Sequence, residues 1–140
     1  CVARQYAVLV DIAQKVHHPV PLDLDVRFFN IIWQGDANNA VLCSLDHANS
    51  PATILNITGP EILTVREVAT EFGKLFGKEV RFTGKEASTA LLSNPSKAVS
   101  LFGNPGFPVN EIIRQTANWI KNENKLLGKP THFEVRNGKY

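Results

Sequence analysis

The chain has 140 residues, 44% of them hydrophobic and 20% charged, enough for one globular domain or part of one. Its 15 basic and 13 acidic residues give a net charge of +2, too balanced for a nucleic-acid-binding face, and the Lys and Arg residues do not cluster. No apolar run approaches the roughly 20 residues that a membrane helix needs, and no secretory leader is visible at the start.

The two cysteines, Cys1 and Cys43, read as reduced thiols of a cytoplasmic protein rather than as a disulfide framework. Val2, Tyr6, Leu9, Ala13 and Val16 recur at helical spacing, which predicts an amphipathic helix over residues 2–17. No Ser, Thr, Asp or Asn precedes it to satisfy its first amides, and methionine is absent from the chain. The segment therefore reads as the start of a fragment cut inside a helix; a processed natural end is the alternative. His17-His18-Pro19 is the helix exit. Leu22 and Leu24 alternate with Asp23 and Asp25 as a short strand over 22–25.

Phe28 to Trp33 is an apolar run of strand formers, broken by Gln34-Gly35-Asp36. Asp36 is placed to cap a helix over 37–48. Ala52 to Thr58 (ATILNIT) has the pattern of a strand buried on both faces, as in parallel sheets. Thr64 and Glu67 form a T-x-x-E capping box. The apolar stripe Val65, Val68, Ala69, Phe72, Leu75 and Phe76 follows, with Gly77 at the helix stop. A strand over 79–83, a polar loop over 83–89, and a short helix over 95–102 between Pro95 and Gly103 come next. A last helix spans 110–127, with Ile112, Ile113, Thr116, Ala117 and Ile120 facing inward and Gly128 as its stop. The remaining tail is polar and is expected on a surface. Alternating strands and helices argue for α/β layering.

Dinucleotide binding requires a glycine-rich turn that lets the backbone approach a pyrophosphate, and no two glycines here are separated by a single residue. No P-loop and no H-E-x-x-H occurs either. Cys43 and His47, four residues apart, have the elements of a thiolate pair, but a core cysteine and a surface histidine fit the pattern better. His17-His18 reads better as a solvated helix end than as a metal site, because no further ligand stands at metal spacing. Arg27 beside the apolar strand is suited to grip a phosphate or carboxylate, and an ion pair with Asp23 or Asp25 competes with that role. Lys85 and Glu86, in a loop after a strand, are either a grip on a polar ligand or solvated charge.

Five stretches, in order, resemble the C-terminal part of the extended short-chain dehydrogenase/reductase family, the NAD-dependent epimerase/dehydratases. YAVLVDIAQKVHHPVPLDL is similar to that family's helix and strand exit. FFNIIWQGDANNAVLCSL resembles its V-x-D-V-A helix start, with Asp36 at the family's Asp. ATILNITGPEILTVREVATEFGKLFGKEV resembles its Y-N-v-g strand and following helix. SNPSKAVSLFGNPGFPVNEIIRQTANWI resembles its D-x-s-K-A helix and closing helix with Trp. The tail GKPTHFEVRNGKY is similar to the ending of one bacterial branch.

The resemblance implies an α/β fold in which residues 1–140 are the C-terminal substrate-binding lobe, with one or more strands belonging to a Rossmann-type sheet. The N-terminal NAD-binding Rossmann part, with its glycine fingerprint and Tyr-x-x-x-Lys pair, would then be absent. It further implies NAD or NADP in the parent enzyme, and no cofactor for the fragment alone, which would be inactive. The implied substrate is a sugar-like or small hydroxylated molecule. The implied partners are that small-molecule substrate and the missing N-terminal half, with room for a homodimer and with no nucleic acid or membrane. The family's diphosphate-binding Arg falls at Phe29, two residues from Arg27. Implied substrate-binding residues are Arg27, Asn30, Trp33, Gln34, Lys85 and Glu86; no catalytic, cofactor-binding or metal residue is implied within the chain. The competing reading is a stand-alone binding or regulatory module derived from such an enzyme.

Overall fold

A computed structural model describes residues 2–129 and 131–133. Three helices build the core. Helix α1 (Val8–His17) buries Leu9, Val10, Ile12, Ala13 and Val16. Helix α3 (Val65–Phe76) buries Val65, Val68, Ala69 and Phe72, and helix α5 (Val109–Lys121) buries Ile112, Ile113, Thr116, Ala117 and Ile120. These faces follow the i, i+3, i+4 spacing that gathers apolar side chains on one stripe, and they pack on one another in a single cluster. Thr116 is the one buried polar residue among the described ones, and its hydroxyl donates to Ile112 O four residues back at 2.8 Å.

The strands are short and lie beside this bundle. Strand β1 (Leu22–Asp23) pairs in parallel with β4 (Phe82–Thr83). Strand β2 (Phe28–Phe29) is central in a second sheet, antiparallel to β3 (Leu63–Thr64) and parallel to β5 (Ala90–Leu91). Leu22, Leu24 and Val26 are buried, which bears out the alternation with the aspartates. After β2 the chain stays extended and buried through Ile31 and Ile32. Val2 bridges Trp33 in parallel, with Val2 N donating to Ile32 O at 2.8 Å and Gln34 N to Val2 O at 3.0 Å.

The capping box at α3 is formed as its sequence predicts. Thr64 Oγ1 accepts from Glu67 N at 3.1 Å and donates to Glu67 Oε2 at 2.7 Å. Gly77 closes the helix at φ 65°, a left-handed conformation that a side chain disfavours. Helix α4 (Ser96–Phe102) also lies where Pro95 and Gly103 place it.

Other boundaries differ from the sequence reading. Helix α1 begins at Val8 rather than Val2, because Val2 is drawn into the bridge with Trp33 and Ala3 pairs with Tyr6. Helix α2 (Gln34–Cys43) starts before Asp36, which lies in its first turn, and Ser44–His47 continue it as a 3₁₀ turn. Asp36 caps no helix; its Oδ2 accepts from Phe107 N at 3.0 Å and ties α2 to the loop before α5. Helix α5 ends at Lys121, well short of Gly128. Strands β3 and β5 were not legible in the sequence, since two residues are too few to show a period.

The largest difference concerns residues 52–58. They form no strand, and Ile54 is 86% exposed. The sequence has the composition of a buried strand, but a strand needs a neighbour to pair with, and no described residue provides one. Cys43 is a free, exposed thiol, while the pairing question for Cys1 and the expected surface path of residues 134–140 lie outside the described residues. Among the described residues no helix is long and apolar enough to cross a membrane.

The three core helices end close together. His17, last in α1, sits edge-on to Phe76 at 5.0 Å and to His18 at 5.1 Å, and its carbonyl accepts from Lys78 Nζ. Burial holds its imidazole below the ordinary value, helped by Lys78, His18 and Lys121 and opposed by Glu123. A depressed histidine means that the unfolded chain binds the extra proton first. Stability is then complete above the ordinary histidine value, about 6.5, and falls as pH drops below it. Urea unfolding between pH 7 and pH 5 is expected to show this loss, and His17→Phe should remove part of it; an unchanged pH dependence would contradict the assignment. In the same assay Thr64→Ala should cost about 1 kcal/mol and Phe72→Ala about 3–5 kcal/mol.

Candidate functional site

The residues singled out in the sequence fall into three places rather than one. All three hang on the chain from Arg27 to Gln34, whose β2 segment β3 and β5 flank.

The first place is the start of β2. Arg27 carries its guanidinium over the Phe28 ring at 4.7 Å, and its Nε lies 3.5 Å from Glu86 Oε2. The expected competitors do not hold it: Asp23 Oδ1 instead accepts from Asp25 N at 2.8 Å. Glu86 also receives Arg66 Nε on its other oxygen at 2.6 Å, and Arg66 lies over Phe82 at 4.5 Å. Two arginines, each backed by an aromatic ring, thus share one carboxylate. The Arg66 hydrogen bond, followed by the charges of Arg66 and Arg27, holds Glu86 below the usual carboxylate range. Lys85 is exposed beside it. Arg66 escapes sequence reading because its partner is 20 residues away, and a charge in the first turns of a helix is ordinarily solvated.

The second place is the end of β2. Asn30 Nδ2 donates to Ser93 O at 2.7 Å and to Gly59 O at 3.1 Å, while its Oδ1 accepts from Ser93 N at 3.2 Å. One side chain therefore fixes two loops from different parts of the chain. Gly59 N donates to Ile31 O at 3.0 Å, and a Cβ on Gly59 would stand 2.2 Å from that oxygen, so only glycine allows this approach. Against Asn30 lies a cleft of ≈ 480 Å³ floored by Pro60, Ile62 and Leu92 and edged by Ser93 and Asn94. On the other side of the Gly59-Pro60 turn, a second cleft of ≈ 340 Å³ runs between Ile31, Glu61 and the Pro105–Pro108 loop. Apolar floors with a few amide and hydroxyl groups are the usual lining of small-molecule sites.

The third place is the entry to α2. Trp33 is stacked on Phe107 at 5.4 Å, with Arg4 over its ring at 5.7 Å. Gln34 is exposed and is the first residue of α2. Neither residue lines the two clefts just described. Trp33 packs against the core and serves as a wall for the Phe107 loop.

No family model matches the chain, and no curated protein sequence matches it. Solved structures do. A UDP-glucose 4-epimerase from Thermus thermophilus in complex with NAD superposes with a TM-score of 0.63 and 20% identity, over 81% of this chain and 40% of that one. A UDP-glucuronic acid 4-epimerase from Bacillus cereus, with UDP-glucuronic acid and NAD, gives 0.66 and 14% over 84% of this chain and 40% of that one. A dTDP-glucose 4,6-dehydratase from Bacillus anthracis, in complex with NAD, gives 0.65 and 17% over 82% of this chain and 39% of that one. The fold is that of the C-terminal portion of the extended short-chain dehydrogenase/reductases. Within that class the similarity is to nucleotide-sugar epimerases and dehydratases, of which the chain spans about two-fifths of the length.

Glu86 gives a direct check on the arginine pair. Its contribution to the folded loop is present above the ordinary carboxylate value and is lost as pH falls through its depressed folded-state value. Arg66→Ala should move the Glu86 midpoint up toward the ordinary value in a carboxyl NMR titration, and an unmoved midpoint would contradict the pairing.

Proposed function

We propose that residues 1–140 are the substrate-binding C-terminal portion of a cytoplasmic NAD- or NADP-dependent epimerase, dehydratase or reductase. The substrate would be sugar-like or a small hydroxylated molecule. The observation that carries this reading is the superposition on NAD-bound sugar-nucleotide enzymes over more than four-fifths of the chain.

Three features support it. The chain has no glycine turn of its own, so a dinucleotide would be held by a polypeptide outside it. Residues 52–58 carry a buried-strand sequence with no pairing partner among the described residues, and Val41, Leu42, Leu45 and Ile54 are more than half exposed. Exposed apolar surface next to unpaired backbone is what a sheet-bearing N-terminal half would cover. The Asn30 cleft, with Ser93 and Asn94 at its edge, offers amides, carbonyls and a hydroxyl to substrate hydroxyl groups. Arg27, Lys85 and Glu86 supply charge at the other end of β2.

In this mechanism the chain performs no proton or hydride step. Hydride transfer is the chemistry that the nicotinamide supplies when bound in the other half. This lobe would orient the substrate, and Asn30 would act through the two loops that it fixes rather than through direct contact.

Three measurements test the reading. The gene upstream of Cys1 should encode a G-x-x-G-x-x-G and a Tyr-x-x-x-Lys, and a start codon close to Cys1 would overturn the proposal. Calorimetric titration of the isolated chain with NAD should show no saturable binding at micromolar strength, and clear saturation would overturn it as well. In the intact enzyme Arg27→Ala should raise the substrate KM and leave NAD affinity unchanged; an unchanged KM would remove Arg27 from the site.

A further inference from the structure

We propose that residues 103–108 form a hinged flap, latched by the Asp36 carboxylate and by the stack of Phe107 on Trp33, and that its opening joins two spaces which it keeps apart when closed. The inference stands on the geometry at the entry to α2 and does not depend on the enzyme reading.

The segment reads Gly-Asn-Pro-Gly-Phe-Pro. Pro105 and Pro108 have a fixed φ, whereas Gly103 and Gly106 are the residues on which the backbone can pivot. Gly103 ends α4 at φ +81°, and a Cβ there would meet no atom within 4 Å beyond its chain neighbours. At Gly106 a Cβ would meet only Asp36 Oδ1, at 3.7 Å. Stiff residues between uncrowded pivots, next to a helix end, are the composition of a hinged segment. Few bonds hold this one. Among the described residues Asn104, Pro105, Gly106 and Phe107 make a single hydrogen bond, from Phe107 N to Asp36 Oδ2 at 3.0 Å. The helices on either side keep their own bonds: Gly103 N donates to Val99 O at 2.9 Å and Ile112 N to Pro108 O at 3.1 Å.

The second fastening is the Trp33 ring, stacked 5.4 Å from Phe107. A Cβ on Gly35 would stand 2.9 Å from Trp33 Nε1, so the indole lies where a side chain would otherwise project. Trp33 is the cap residue of α2 and Asp36 is in its first turn, so both fastenings come from one helix start. Closed, the flap is a wall between two spaces. On one side is the cleft of ≈ 340 Å³ against Ile31, Pro60 and Glu61. On the other is a cavity of ≈ 60 Å³ bounded by Asp36, Asn39, Thr58 and Phe102. Asn104, Pro105 and Gly106 line both. Opening removes this partition. The Asp36 carboxylate, released from Phe107 N, then faces the joined space as an acceptor, with the Asn39 amide and the Thr58 hydroxyl beside it.

The test is native-state hydrogen exchange of the 140-residue chain in low concentrations of urea, read at the Phe107 amide. A flap opens locally and exposes little surface, so Phe107 should exchange faster than the amides of Ile113 and Ile120 in α5, at a rate that urea leaves nearly unchanged. Asp36→Ala removes the acceptor and should speed Phe107 exchange by roughly ten- to a hundredfold, the size expected for one lost hydrogen bond to a charged group. Gly35→Ala displaces the indole and leaves the carboxylate in place; it should raise the same rate severalfold, so that a folding failure of one variant leaves the other informative. In both variants the Trp33 indole resonance should move while that of Trp119 stays. A Phe107 amide that exchanges only with global unfolding, with the urea dependence of the α5 amides, would overturn the proposal, and so would a Trp33 resonance that neither variant moves. Neither result depends on NAD, so the enzyme reading can stand or fall separately.

Discussion

Strand β2 is held on both edges, by β3 on one side and β5 on the other, and this double pairing anchors the chain from Arg27 to Asn30 that carries the first candidate site residues. Arg27 N donates to Thr89 O at 3.3 Å and Val65 N donates to Arg27 O at 3.1 Å, so the residue is locked between the 83–89 loop and the start of α3. That lock brings Glu86 and Arg66 to the same guanidinium. Three residues on, Asn30 binds the Gly59 and Ser93 backbones. Further along, Ile31 accepts the Gly59 amide and Ile32 accepts Val2, before Trp33 turns the chain into α2. A small number of backbone hydrogen bonds thus converts four segments distant in sequence into one surface.

The helical bundle is what makes so short a sheet tenable. Two-residue strands contribute little stability alone. Here they are backed by α1, α3 and α5, whose buried faces include Leu9, Ile12, Phe72 and Ile112 with almost no exposure. The T-x-x-E box and Gly77 define α3 at both ends, and the first turn of that helix carries Arg66 toward Glu86. Local capping and the geometry of the charged cluster are therefore the same piece of structure.

The helices and their faces were legible in the sequence because a 3.6-residue period over ten or more residues is a strong signal. Val65 to Phe76 and Ile112 to Ile120 are the clearest cases. The boundaries failed where tertiary pairing overrides local preference. Val2 has a helical period but pairs with Trp33, and Asp36 has a capping side chain but spends it on the Phe107 amide. Residues 52–58 are the reverse case, in which local composition favours a strand that nothing described is there to pair. Of the candidate site, Arg27 and Glu86 were visible as residues but not as partners, and Arg66 was invisible. Their association depends on loop closure over 20 and 59 residues, and no spacing rule reports contacts of that range.

We propose that this chain is one lobe of a larger α/β enzyme, with residues 52–58 as a strand awaiting its neighbour. Amide hydrogen exchange tests it most directly. In the isolated chain the amides of residues 53–58 should exchange quickly while those of α3 are protected. In the polypeptide that includes the upstream sequence, the same amides should become as slow as those of α3. Fast exchange of residues 53–58 in both forms would contradict the claim.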